Sequence, residues 1–240
     1  MRVAIFSDIH GNLEALMAVL EKLADLNIEK AICLGDVVGY GADPNACVAQ
    51  IQESASAVMA GNHDWVAVGL ADASLFNPIA LAAIRWTASQ LTHDHADFLR
   101  QCPLFLDEDA VRYVHASPVC PDAWDYVPSP QWGRLALSKS ECTLCFIGHS
   151  HKAFICSESG QEDVVVEGNL CLNPAHRYLI NVGSVGQPRD GDPRAAFAIW
   201  DGDTRNLALH RVSYNVSAAQ AKIRSAGLPG FLADRLSVGM

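Results

Sequence analysis

The sequence is short of positive charge. In 240 residues, 17 Lys and Arg stand against 27 Asp and Glu, a formal net charge of −10. Broad nucleic-acid binding needs a basic surface that replaces counterions, so that class is set aside. A local positive site built from metal ions is not excluded by the same count. Long apolar runs are missing too. The opening "MRVAIFSDIHG" meets charge after a few apolar residues, too soon for a secretory signal. No run reaches the length of a membrane span. A soluble, cytoplasmic protein with no membrane partner is expected.

The cysteines lack the pattern of a metal or redox site. Of the eight, Cys142 and Cys145 form one "CTLC". A zinc site wants a second such pair, and a redox pair wants a thioredoxin-like setting. All eight are expected as free, buried thiols, with the pair as core. Internal repeats and low-complexity linkers are absent as well. Half the residues are hydrophobic, enough for a substantial core. A single domain over 1–240 is expected, with a helical tail over 216–240.

What is present is alternation. "RVAIFS" (2–7), "KAICLGD" (30–36) and "AVMAGN" (57–62) read as buried strands. Between them, 12–26 carries leucines at helical spacing, and 43–55 starts with Asp43 as N-cap and Pro44 at the first helical position. This predicts an α/β fold with a parallel sheet and crossover helices. Residues 77–101 are rich in helix formers. Beyond them, 111–117, 143–149, 152–159, 163–168, 177–184, 195–203 and 206–213 read as strands, as for a second sheet packed on the first. The tail at 216–236 returns to helix.

The strand ends hold the chemistry. They read "SDIHGN", "GDVVGYG", "GNHD", "VHAS" and "GHSH". Ligands gather beyond the carboxyl ends of strands in such sheets. Asp8 and His10 sit two apart, and so do His149 and His151, which sends both side chains of an extended pair the same way. Each motif alone has a plain structural meaning. Asp8 and His10 serve equally as a helix cap and a surface histidine. The "GNHD" at 61–64 serves as a turn with an Asx cap, and His115 as a satisfied core histidine. Together, buried carboxylates and imidazoles are costly unless divalent ions compensate them, and such ions accept mixed oxygen and imidazole ligands.

In that order, Asp8-x-His10, Gly35-Asp36, Gly61-Asn62-His63-Asp64, His115 and Gly148-His149-Ser150-His151 resemble the calcineurin-like metallophosphoesterase superfamily. The stretch at 181–201 is similar to one in small bacterial members of its phosphodiesterase and diadenosine-tetraphosphatase-like branch. The resemblance implies a four-layer α/β/β/α sandwich of two packed mixed sheets flanked by helices. It implies two divalent metal ions, one held by Asp8, His10 and His151, the other by Asn62, His115 and His149, with Asp36 bridging. Such a pair clamps a phosphate and activates a bridging water. Manganese is expected first, and Fe, Zn, Co or Ni fit the same donors. His63 is implied as the general acid on the leaving group, not as a ligand. Asp64 is implied to hold its imidazole and raise its pKa.

The expected activity is hydrolysis of a small phosphodiester or nucleotide-type phosphate ester. A phosphomonoesterase or protein phosphatase on the same site is the alternative, and a non-catalytic binding module a further one. Protein phosphatases of this superfamily carry an Asp and a phosphate-binding Arg where Gly39 and Tyr40 stand here, which argues against that activity. Asn12 is read as a helix N-cap or a substrate contact. Tyr40 is read as stacking on a base or sugar. Arg189 is read either as a loop arginine paired with Asp190 or Asp192, or as a phosphate contact. His93 and His95 are expected as exposed helix residues after Thr92 as N-cap. His176 and His210 are expected to be structural or solvated.

Overall fold

Alternation every second residue sets the strands. In β1 (Arg2–Phe6), Val3 and Ile5 face one way and Ala4 and Phe6 the other, and all four are buried. A strand covered on both faces must read this way. The structure, a computed structural model, describes residues 1–74, 76–160 and 167–240. After β1 come α1 (Leu13–Ala24), β2 (Lys30–Cys33), α2 (Pro44–Ser54), β3 (Ala57–Val58), α3 (Asn62–Ala67), α4 (Pro78–Gln90) and α5 (His93–Gln101). Then follow β4 (Phe105–Glu108), β5 (Val111–Val114), α6 (Pro130–Ser138), β6 (Leu144–Ile147), β7 (Ala153–Ser157) and β8 (Gly168–Cys171). The chain ends with β9 (Tyr178–Val182), β10 (Ala195–Asp201), β11 (Asn206–Val212), α7 (Val216–Ser225) and α8 (Gly230–Asp234).

One sheet has the order β3-β2-β1-β10-β11-β8, the other β4-β5-β6-β9-β7. β1, β2 and β3 are parallel, and β10 joins β1 antiparallel. Each sheet is therefore mixed. Their facing sides share one core, in which Ile5, Ile32 and Trp200 of the first sheet meet Tyr113, Phe146 and Ile180 of the second. The first sheet's outer face packs on α1 and α2 through Phe6, Leu16, Val48 and Phe197. The second sheet's outer face packs on α6 through Phe154, Leu179 and Leu137. This is the expected α/β/β/α stacking.

The division of strands differs from the sequence reading. The later strands do not all form a second sheet, because β8, β10 and β11 extend the first one. β4 and α6 were not foreseen. β3 shrinks to two residues, because Asn62 already begins α3. Most of the strand expected at 163–168 lies outside the described residues, and Gly168 opens β8. Asp43 stands at the N-cap position of α2 but makes no side-chain cap bond; its carboxylate pairs with Lys222 of α7 at 2.8 Å. Thr92 caps α5 as expected. His93 is exposed, whereas His95 is half-buried and bonds Asn45 at 2.8 Å. His210 stacks on Phe197. All eight cysteines are free, but Cys120 and Cys171 are exposed and Cys142 is half-buried, against the expectation of buried thiols. No helix among the described residues is long and apolar enough to cross a membrane.

The tail folds back beside the strand ends. α7, α8 and the turn after α8 pack Ile223, Leu232 and Leu236 against Tyr40 and against Ala80 and Ala83 of α4. This places the C-terminal residues next to the β2–α2 loop.

Candidate metal centre

Five loops converge beyond the strand ends, and the backbone ties them together. Asp8 N–H donates to Gly35 O (3.0 Å), His10 N–H to Asp36 O (2.9 Å) and Gly148 N–H to His115 O (2.9 Å). Asp8, His10, Asp36, Tyr40, His149 and His151 all have φ between 51° and 64°. Left-handed backbone is uncommon for non-glycine residues and concentrates at functional sites. Glycine is required at two contacts. A Cβ on Gly148 would lie 2.5 Å from Asp8 Oδ2, and one on Gly61 would fall on the Asp36 carboxylate.

The seven residues expected as ligands come together, each no more than 9% exposed. Donor atoms of Asp8, His10 and His151 cluster within 4.8 Å of one another, and so do those of Asp36, His115 and His149. The two clusters meet at Asp36: its Oδ2 is 3.6 Å from His10 Nε2 and 3.3 Å from His115 Nε2. Its Oδ1 accepts from His63 N–H at 2.8 Å. Asp8 is arranged alike, with Oδ2 accepting from His149 N–H at 2.9 Å and Oδ1 lying 3.2 Å from His151 Nε2. Each acid spends one oxygen on the backbone and turns the other inward.

Carbonyl partners fix the tautomers. Nδ1 of His10 meets Val38 O (3.1 Å), Nδ1 of His115 meets Leu34 O (3.0 Å) and Nδ1 of His151 meets Gln187 O (2.6 Å). A carbonyl only accepts, so each Nδ1 carries the proton and each neutral ring presents an Nε2 lone pair. Yet His10 Nε2 and His151 Nε2 lie 3.0 Å apart, lone pair to lone pair. Asp8 Oδ1 and Asn62 Oδ1 are buried without a partner among the described residues, and His149 Nδ1 faces His115 Nε2 at 3.2 Å. Converging unpaired acceptors are costly unless a cation sits between them. Carboxylate and amide oxygen with imidazole nitrogen is a donor set for divalent transition metals. The residues fit the implied ions.

Charge follows the same layout. Burial would raise the Asp8 and Asp36 carboxyls, but His151 beside Asp8 and His115 beside Asp36 hold both below the ordinary value. Burial would lower His115, but Asp36, Asp8 and Asp64 push it up to about 9. Burial and the charge of His115 push His149 down to about 3. Burial also pushes His63 down, to about 4, against the pull of Asp36.

The expected role of Asp64 is corrected. Its Oδ1 accepts from Val38 N–H (3.1 Å) and its Oδ2 from Gly61 N–H (3.2 Å), so the carboxylate closes the turn instead of holding His63. His63 Nδ1 has no partner. Burial and the charge of Asp36 push Asp64 up to about 7.

Of the residues read as possible substrate contacts, Asn12 follows its helix-cap reading. Asn12 is the N-cap of α1: its Oδ1 accepts from Ala15 N–H (3.2 Å) and its Nδ2 donates to Gly186 O (2.8 Å). Its amide is spent. Tyr40 is 8% exposed, with its ring 4.6 Å from His10 and 4.5 Å from His63. Arg189 goes the other way. Asp190 pairs with Arg211 and Asp192 with Arg194, while Arg189 donates to Gln187 Oε1 at 2.8 Å and lies 5.6 Å from the Tyr40 ring centre. Its positive charge opposes protonation of His151 and His63 and acts on the Tyr40 and Tyr126 hydroxyls, so it overhangs the cluster, with no carboxylate partner among the described residues.

Other contributors were missed in the sequence. Tyr126 stacks on His149 at 4.0 Å, Phe76 lies 4.6 Å from His63, and Arg235 of the tail shares Gln187 Oε1 with Arg189. Asn181 donates to Gly148 O (2.7 Å) and Ser150 Oγ (2.9 Å), and Ser184 to Asp8 O (2.8 Å). The stretch at 181–201 signalled these buttresses without saying what they hold.

Comparison with known proteins agrees with this geometry. The model of the calcineurin-like phosphoesterase superfamily domain matches residues 1–205. The uncharacterized protein MJ0912 of Methanocaldococcus jannaschii is 39% identical over 99% of this chain and 98% of its own. The crystal structure of a metallophosphoesterase from Sphaerobacter thermophilus is 38% identical, covers 100% of this chain and 99% of that one, and superposes with a TM-score of 0.89. The hypothetical protein PH1004 of Pyrococcus horikoshii shares the fold at 21% identity and a TM-score of 0.80, over 100% of this chain and 98% of its own. The chain belongs to the calcineurin-like phosphoesterase superfamily and is a metal-dependent phosphoric ester hydrolase.

Proposed function

We propose that this phosphoesterase hydrolyses a phosphodiester or nucleotide-type phosphate ester at a dinuclear centre. Asp8, His10 and His151 would hold one ion, Asn62, His115 and His149 the other, and Asp36 both. One observation carries this reading: a single oxygen, Asp36 Oδ2, stands between the two clusters. When bound, the ions polarise the phosphoryl oxygens and supply the nucleophile from water. Manganese is the first expectation, and Fe, Zn, Co or Ni are accepted by the same donors.

The chain's own residues do the rest. Arg189 reaches toward the phosphate with a guanidinium that no carboxylate among the described residues neutralises. His63 stands beside the cluster, its backbone N–H bonded to Asp36 Oδ1, and donates the proton that the departing alkoxide needs. Its ring is neutral at neutral pH in the substrate-free protein. The negative phosphate it faces therefore has to stabilise the added proton. The protein-phosphatase alternative is disfavoured, because a Cβ at Gly39 would lie 2.6 Å from His63 Nδ1 and Tyr40 is buried where the phosphate-binding Arg would be.

The test is hydrolysis of bis(p-nitrophenyl) phosphate with added Mn²⁺. His63→Ala should lower kcat by roughly 10²–10⁴-fold, the range of general acid catalysis, while keeping its metal content. If that variant loses metal instead, the division of roles is wrong.

A further inference from the structure

A cavity of 320 Å³ opens beside the ligand set. Asn62 and His149 form its inner end, Phe76, Trp124 and Tyr126 its walls, and Asp125 its rim. Its size is at the lower end of small-molecule sites. The walls are placed with some care. Tyr126 is 56% exposed, yet its ring lies against His149. Trp124 has φ 56°, a conformation bulky residues rarely adopt, and its indole packs edge-on to Trp65 at 5.5 Å. Phe76 lies 4.6 Å from the His63 ring, so one wall ring separates the cavity from the proton donor. The rim carboxylate of Asp125 has no cation partner among the described residues.

The two sides of the centre thus differ in character. Arg189 and Arg235 are on the Tyr40 side, where an anion is favoured. The cavity side offers π-faces and acceptors in Asp72 and Asp125, and no Lys or Arg lines it, although Arg189 reaches the Tyr126 hydroxyl from the other side. We propose that the cavity is the leaving-group subsite and that it takes a nucleoside: a planar, uncharged body whose amino and hydroxyl groups donate to Asp125. This rests on the proposed hydrolysis. In that step the P–O bond to the nucleoside breaks with its electron pair on the nucleoside oxygen, which takes the His63 proton, and the oxygen of water becomes bonded to phosphorus. A base stacked on Trp124 and Tyr126 would fix that oxygen next to His63. An anionic aromatic body would be repelled by the rim.

The test uses adenosine, which has no phosphate. Equilibrium dialysis should show adenosine binding the full chain, and adenosine should compete with bis(p-nitrophenyl) phosphate; ribose and benzoate should do neither. Trp124→Ala should weaken adenosine binding roughly tenfold, as expected for loss of one stacking ring, and Trp124→Phe should restore it. The proposal is overturned if the protein hydrolyses the diester but adenosine neither binds nor competes, or if both Trp124 variants bind it as the parent does. Adenosine binding that depends on Trp124 in a protein that hydrolyses nothing would leave the subsite standing and remove the hydrolytic reading. If neither binding nor hydrolysis is seen, both fall.

Discussion

At the scale of single residues, the centre depends on atoms that nothing among the described residues satisfies. Asp36 is the residue common to both clusters, so Asp36→Ala should lose both ions, whereas Asn62→Ala should lose one. Metal content per chain by elemental analysis distinguishes the two outcomes; equal loss in both variants would contradict the shared role. The sequence made these residues legible because, His115 apart, each stands at a strand end next to a glycine or serine, and five strand ends carry Asp, His or Asn in one chain. The role of Asp64 was not legible, because a carboxylate beside a histidine in sequence can turn to either side. Here two backbone N–H groups at 38 and 61 captured it.

At the scale of elements, β9 supports the "GHSH" loop. Asn181 is fully buried and its side-chain amide spans Gly148 O and Ser150 Oγ. Asn181→Ala leaves these groups unpaired, which costs about 1–3 kcal/mol. Chemical denaturation should show that loss, together with weaker metal binding through His149 and His151. Unchanged metal affinity would reduce Asn181 to a packing residue. Strand positions were readable from alternation, but partners were not, since a period of two says nothing about which sheet a strand joins. Hence β8, β10 and β11 were placed in the wrong sheet. β4, "FLDE", escaped because its apolar members are only partly covered. The walls of the cavity come from loops at 76 and 124–126, which have neither period nor motif.

At the scale of the whole molecule, burying so many ionisable groups makes stability depend on pH. Without metal, His115 has a raised pKa of about 9. Its contribution is complete below the unfolded value of 6.5 and is lost as pH rises through about 9. Thermal unfolding of the metal-free protein should show this fall, and His115→Gln should remove it. Metal binding needs the neutral ring, so loading at pH 7.5 should release a proton. Titration calorimetry in buffers of different ionisation enthalpy reads that release directly, and its absence would contradict the placing of His115 in the ligand set.

The central claim is that two ions share Asp36 and that His63 touches neither. A rival grouping exists, since donor atoms of His10, Asp36 and His63 also lie within 4.8 Å of one another. Anomalous diffraction from crystals loaded with Mn²⁺ decides between them. Two peaks are expected, one bounded by Asp8, His10 and His151 and one by Asn62, His115 and His149, with an Asp36 oxygen between them and no bond from His63. A single peak, or a metal bonded to a ring nitrogen of His63, would contradict that claim.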